Sequence, residues 1–184
     1  MKGRVSKIER RTKETDVSVS IGIDGKGIYD VTCSNRFLKH MIETLSRYSS
    51  ADICVKVTGD DEHHIIEDVG ITMGTAFKDA LKDIPIERMA TKTVVMDDAM
   101  VTVSLDIIDR PYAEIDCPDP LYHHFFRSFA MSSGMTLHIL VIRGFDDHHI
   151  VEASFKALGR ALKEAVRKRD AELSTKEKAS LKGV

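Results

Sequence analysis

The chain is written twice. Val17, Val19 and Ile21 alternate with Ser18 and Ser20, the two-residue period of a strand with one buried face, and 84 residues later Val101, Val103 and Leu105 alternate with Thr102 and Ser104. The same offset carries the helically spaced Phe37, Leu38, Met41, Ile42 and Leu45 onto Leu121, Tyr122, Phe125, Phe126 and Phe129. It also carries Ile53, Val55 and Val57 onto Leu137, Ile139 and Val141. One extra residue near Gly144 then changes the offset to 85, and the stripe Met73, Ala76, Phe77, Ala80, Leu81 recurs as Leu158, Ala161, Leu162, Ala165, Val166. A duplication of this length leaves few architectures open. Each half reads strand, strand, helix, strand, helix, with turns at Asp24-Gly25 and Asp109-Arg110-Pro111 and polar joins at Gly59-Asp60-Asp61 and Gly144-Phe145-Asp146-Asp147. Such halves bury their apolar faces by packing helices on sheets. The expected fold is therefore α+β: one domain over 1–184, built of repeats at about 1–90 and 91–170 that share a core, plus a C-terminal tail 171–184.

Six of the eight histidines belong to the repeat. His63-His64-Ile65-Ile66-Glu67 and His148-His149-Ile150-Val151-Glu152 share the pattern His-His-x-x-Glu, and His40 and His124 precede them by 23 and 24 residues. Adjacent helix positions point about 100° apart, so His63 and His64 can hardly close on one ion, whereas Glu67 lies within a turn of both. Each copy is expected to feed two different metals. A single such signature is usually a pair of surface or core histidines. Two copies, each opening an expected helix after an acidic turn, each with another His on the preceding helix, point to metal ligation instead. Three imidazoles and one carboxylate per ion leave one or two positions open in a six-coordinate sphere, as catalysis requires. Nitrogen and oxygen donors without thiolate suit Mn, Fe, Co, Ni or Zn. His138 lies in an apolar strand with Cys54 as its counterpart and reads as structural; His123 matches Lys39 and reads as an exposed neighbour.

Composition narrows the function classes. A formal charge of −2 is too balanced for a nucleic-acid surface. No apolar run approaches the ~18 residues of a membrane span, and Met1-Lys2-Gly3-Arg4 opens no signal peptide, so the chain is expected to be cytoplasmic, with no membrane partner. Cys33, Cys54 and Cys117 are odd in number and lack a Cys-x-x-Cys spacing, which predicts reduced packing residues.

Several motifs in order resemble the imidazoleglycerol-phosphate dehydratase family over essentially the whole chain. They are Arg11-Thr12-Lys13-Glu14-Thr15, Gly59-Asp60, His63-His64-x-x-Glu67-Asp68, Asp109-Arg110-Pro111, His124-Phe125-Phe126, Gly134-Met135-Thr136-Leu137-His138-Ile139, His148-His149-x-x-Glu152-Ala153-x-Phe155-Lys156-Ala157 and Ser180-Leu181-Lys182-Gly183-Val184. The resemblance implies two repeats of the ribosomal-protein-S5-domain-2-like kind. It implies trimers assembling into a 24-subunit shell, with active sites between subunits. The implied reaction is a dehydration in histidine biosynthesis, D-erythro-imidazoleglycerol phosphate to imidazoleacetol phosphate, with two Mn²⁺ per site, one at each nitrogen of the substrate ring. Other divalent first-row metals remain possible. Its implied ligands are His40, His63, His64, Glu67, His124, His148, His149 and Glu152, the eight residues that the repeat selects.

Glu14 matches the family's catalytic acidic residue and would act as the base for the carbon-bound proton; from spacing alone it is a charged residue entering a strand. The implied phosphate contacts are Arg88, Arg110, Lys156, Ser180 and Lys182. Lys156 also suits a plain i,i+4 pair with Glu152, but its repeat counterpart is Ile71, so the charge is particular to the second half. Ser174-Thr175-Lys176 rivals Ser180 and Lys182 but lacks the following Gly. The chain departs from the family pattern at Lys39, where an acid is usual, at Thr44 and Tyr48, where Gln and His are common, and in a shortened approach at Asp60-Asp61-Glu62. Two other readings compete: a two-metal hydrolase of a phosphorylated metabolite, and a non-enzymatic metal-assembled shell. Three His per Glu argues against a bridging hydroxide, and phosphate-binding cations have no purpose in a shell.

Overall fold

The structure is a computed structural model that describes residues 3–81, 84–171 and 173. The first half runs β1 (Val5–Arg11), β2 (Thr15–Gly22), β3 (Tyr29–Thr32), α1 (Arg36–Ser49), β4 (Asp52–Gly59) and α2 (Glu62–Leu81). The second runs β5 (Met89–Met96), β6 (Ala99–Ile107), β7 (Tyr112–Ile115), α3 (Pro120–Ser133), β8 (Met135–Arg143) and α4 (Asp147–Ala165). Each half thus has one strand more than expected, β1 and β5. Both are edge strands whose inward faces, Ser6, Ile8 and Arg10 or Ala90, Lys92, Val94 and Met96, mix charge with apolar groups. Hydrophobic alternation could not reveal them.

The sheets have the same order, β1-β2-β4-β3 and β5-β6-β8-β7, antiparallel except for β3 on β4 and β7 on β8. In the first half α2 packs on β1 and β2 and α1 on β3 and β4; in the second, α4 packs on β5 and β6 and α3 on β7 and β8. The halves then meet helix to helix, α2 on α3 and α1 on α4, so four helices lie between two sheets. Phe125, Phe126, Phe129 and Phe155 fill this layer with Leu38, Met41 and Ile42, all fully buried. The extra residue of the second half is absorbed where Met100 pairs with Arg143 but Val101 pairs with Val141, a bulge at Ile142 that the uninterrupted β2–β4 register lacks.

Two helix contacts are close enough to depend on glycine. A Cβ on Gly74 would stand 2.5 Å from the Phe129 carbonyl oxygen, and one on its counterpart Gly159 would stand 2.8 Å from Tyr48 Cβ. Gly74→Ala gains helix propensity but forces α2 off α3; a net loss of about 2–3 kcal/mol is expected, read as a melting temperature about 5–10 °C lower. Among the described residues no helix is long and apolar enough to cross a membrane. Cys33, Cys54 and Cys117 are free and half-buried, and burial pushes the Cys117 thiol up to about 12.

Candidate metal centre and active site

Side-chain caps fix where the donor-bearing helices begin. Asp61 Oδ1 accepts from His63 N at 2.7 Å and Asp146 Oδ1 from His148 N at 2.8 Å, so both His-His pairs occupy the first turn of a long helix. Asn35 and Asp119 cap α1 and α3 in the same way, placing His40 and His124 one turn inside.

Helix packing then gathers donors from both halves. Glu152 Oε2 lies 3.4 Å from His148 Nε2 on its own helix and 3.6 Å from His40 Nε2 on α1. The pseudo-symmetric arrangement on α2 and α3 sets Glu67 Oε2 3.6 Å from His63 Nε2, with the His63 and His124 ring centres 4.9 Å apart. Each group offers two imidazoles and one carboxylate, a donor set that fits a divalent first-row ion. Among the described residues, no three such donors close on one another as a complete site within the single chain.

His64 and His149 turn elsewhere. Their rings lie 6.1 and 5.8 Å from those of His63 and His148, at 85° and 86°. His64 Nδ1 is 3.0 Å from Asp60 Oδ1 and 3.9 Å from Glu14 Oε2 at the β1–β2 turn. His149 Nδ1 is 2.5 Å from Asp98 Oδ1 at the β5–β6 turn, and its Nε2 is 3.4 Å from Asp97 Oδ2. These hydrogen bonds, from Asp60 and Asp98 first, raise both imidazoles above the ordinary histidine value and hold both aspartates below theirs. Burial pushes Glu152 up, but its hydrogen bond and charge pairing with Lys156, helped by His40 and His148, leave it below the usual glutamate value.

The cations expected at phosphate are divided. Lys156 Nζ sits 2.9 Å from Glu152 Oε1, the i,i+4 pair, beside Met96 Sδ and 5.8 Å from the Tyr48 ring centre. Arg88 precedes β5 with φ 70°, its Nε 2.7 Å from Asp106 Oδ1 and its Nη1 donating to the Leu173 carbonyl at 3.0 Å. The length of β5, about 26 Å at 3.3 Å per residue, separates it from Asp97 and His149. Arg110 is exposed and follows Asp109, which holds Lys78 at 2.5 Å near the C-terminal end of α2; His63 and His64 are near the other end, about 22 Å away along the helix. Within one chain Arg88 and Arg110 are therefore not brought to the histidines. Ser180, Lys182, Ser174 and Lys176 lie outside the described residues. Lys39 lies 4.0 Å from Glu43 on its own helix, and Thr44 is buried. His138 faces the outside of the second sheet, its ring 5.6 Å from that of Tyr112, and is not a core residue; His123 is half-buried next to His124. Asp60 stands in the sequence as part of a polar join and a family motif with no task of its own, and Asp98 carries no signal except the offset of 84 that sets it opposite Glu14.

Comparison with known proteins gives one consistent match. The family model for imidazoleglycerol-phosphate dehydratase matches residues 33–162. The chain is 44% identical over 178 residues to the imidazoleglycerol-phosphate dehydratase of Caldanaerobacter subterraneus subsp. tengcongensis, covering 89% of this chain and 92% of that one. It is 42% identical over 182 residues to that of Desulforamulus reducens, covering 91% and 93%. Among solved structures it is similar to IGPD from Pyrococcus furiosus in complex with (S)-C348, with a TM-score of 0.80, 35% identity and coverage of 91% and 98%. The Staphylococcus aureus imidazoleglycerol-phosphate dehydratase also gives 0.80, at 28% identity, covering 90% and 99%.

Proposed function

The chain belongs to the imidazoleglycerol-phosphate dehydratase family, hydro-lyases of histidine biosynthesis, and from that premise we propose that its repeat-borne His and Glu residues hold two Mn²⁺ ions in a site shared between subunits. The substrate is D-erythro-imidazoleglycerol phosphate and the product imidazoleacetol phosphate. The hydrolase and shell readings give way to this family.

The observation that carries the shared site is a stoichiometry. Each chain has two groups of two imidazoles and one carboxylate, and two further imidazoles, His64 and His149, turned away from both. Three imidazoles and one carboxylate per ion result when those two histidines are lent to neighbouring copies. The distance of Arg88 and Arg110 from the donors supports the same sharing. So do the sheets' outer faces: Lys7, Glu9, Arg11, Asp16 and Lys56 of the first give way, at the 84-residue offset, to Thr91, Thr93, Val95, Met100 and Leu140 of the second. A face with fewer charges in one half of a symmetric fold, keeping Asp106 and Glu114 but losing those five, suits contact with another copy, as trimers within a 24-subunit shell require.

When bound, the ions supply positive charge beside the substrate's imidazole ring, which lowers the cost of the charge that builds as the carbon-bound proton leaves. Glu14, at an exposed turn with its carboxylate not committed to any short hydrogen bond, takes that proton. The electrons of the broken C–H bond form the new double bond as the neighbouring C–O bond breaks; the departing hydroxyl leaves as water with the proton that Glu14 has collected, which returns Glu14 to the carboxylate, and the enol then moves its O–H proton to carbon to give the ketone. Arg88, Arg110, Lys156, Ser180 and Lys182 hold the phosphate, fixing the substrate's distance from Glu14.

Protein stripped with chelator and reconstituted with Mn²⁺ is expected to form the product ketone only after reconstitution. Turnover that survives the chelator would overturn the role of the ions, metal bound without product would keep the site but not its part in the dehydration, and a monomer in sedimentation would remove the shared site. Lys156→Ala is expected to keep metal content and lower kcat/KM about 10–100-fold, the loss of one charge-assisted contact. Unchanged turnover would take Lys156 out of the phosphate site.

A further inference from the structure

The two halves hold the second histidine of each pair with different carboxylates. In the second half Asp98, the counterpart of Glu14, does it directly: Oδ1 lies 2.5 Å from His149 Nδ1, while Oδ2 accepts from Phe145 N at 2.5 Å and Asp146 N at 3.2 Å. In the first half Glu14 stops 3.9 Å short of His64 Nδ1, and Asp60, four residues before His64, holds the ring at 3.0 Å. The residue four before His149 is Phe145, 95% exposed and without a polar group. One turn acid is engaged where the position four before the histidine has no carboxylate, Asp146 being taken up by the His148 main chain, and its counterpart stands free where that position has one.

We propose that Asp60 and Asp98 are positioning residues that fix His64 and His149 for metal binding, and that Asp60, by taking the ring of His64, is what leaves Glu14 free to act as base. The proposal rests on the ligand set proposed above. The short contact of each ring is at Nδ1, Asp97 Oδ2 standing farther off at 3.4 Å from His149 Nε2; a carboxylate on Nδ1 keeps the proton there, so the Nε2 lone pair is the one presented, and the ring is held at a set angle. Without Asp60, the nearest remaining carboxylate within reach of His64 Nδ1 is Glu14.

The decisive variant is Asp98→Asn in the full-length protein. Its amide oxygen still accepts from the Phe145 and Asp146 main chain, but its NH₂ now faces His149 Nδ1 and drives the ring proton to Nε2. Mn²⁺ affinity, measured by competition with a chelating dye, should fall about 10–100-fold at one of the two sites with the metal-free melting temperature unchanged. Adding Phe145→Asp, which places a carboxylate four residues before His149 as Asp60 is before His64, should restore it. Asp60→Ala should lower affinity at the other site and, at saturating Mn²⁺, also lower kcat with little change in KM, because His64 now engages Glu14. Wild-type affinity in Asp98→Asn, or a loss that Phe145→Asp fails to recover, overturns the positioning role. His149→Ala separates the two levels: unchanged affinity in that variant would sink the ligand assignment itself, whereas a loss there with none in Asp98→Asn sinks only the role of Asp98.

Discussion

Glutamine at position 14 should reduce kcat on imidazoleglycerol phosphate by about 10²–10⁴-fold, the usual contribution of a positioned general base, while both metals stay bound. Gln keeps the size of Glu14 and can still form hydrogen bonds at the β1–β2 turn, but it cannot take a proton from carbon. Glu14 makes no short contact with the donor groups, His64 being 3.9 Å away and already held by Asp60, so metal affinity should not follow its charge. The measurement is steady-state turnover of the manganese-loaded variant beside its metal content. Retained turnover would return Glu14 to the surface role that its sequence position alone suggests. Metal loss in parallel with turnover would instead make it part of the metal site.

Removing the carboxylates at the centres of the two donor groups should have comparable consequences through a different quantity. Glu67→Gln or Glu152→Gln exchanges an anionic oxygen donor for a neutral amide, and each should leave about one of two ions bound after dialysis, with turnover close to lost. The two variants should differ in stability. Glu67 is half-buried and, among the described residues, pairs only with His63, whereas Glu152 is 7% exposed and is the acceptor for Lys156, which is itself largely buried. Glu152→Gln leaves that ammonium without its counter-charge and should lower the melting temperature of the metal-free protein, which Glu67→Gln should not. Metal analysis and thermal melts of the two variants read both effects. Full occupancy at both sites in either variant would remove that residue from the ligand set.

The duplication, the α+β class and the paired His-His-x-x-Glu signatures were legible because they are written in local order. A two-residue period, a 3.6-residue period and a five-residue signature survive without knowledge of the partner surface. β1 and β5 were not legible, since an edge strand meets a neighbour on one side only and its inward face need not be apolar. The extra residue near Gly144 was visible as a change of offset; its expression as a bulge at Ile142, which lets β8 keep pairing with β6 while α4 starts in register with α2, belongs to the sheet.

Which donors meet was decided by packing between the halves. The repeat lists His40, His63, Glu67 against His124, His148, Glu152, and nothing local says that His40 belongs with Glu152 and His124 with His63. That follows from α1 lying on α4 and α2 on α3, a choice made by the Phe125, Phe126, Phe129 and Phe155 layer and by the close approach at Gly74 and Gly159. The distinct tasks of Asp60, Asp98 and Glu14 were equally out of reach, because they depend on two turns and two helix entrances being brought within hydrogen-bond distance. The sequence by itself determined the family, the repeat and the kinds of donor, all set by residue type and short-range period. Only the tertiary structure decided the grouping of the donors, the freedom of Glu14 and the distance of the arginines from the histidines, since contacts between residues far apart in the chain arise when the two halves bury one shared layer.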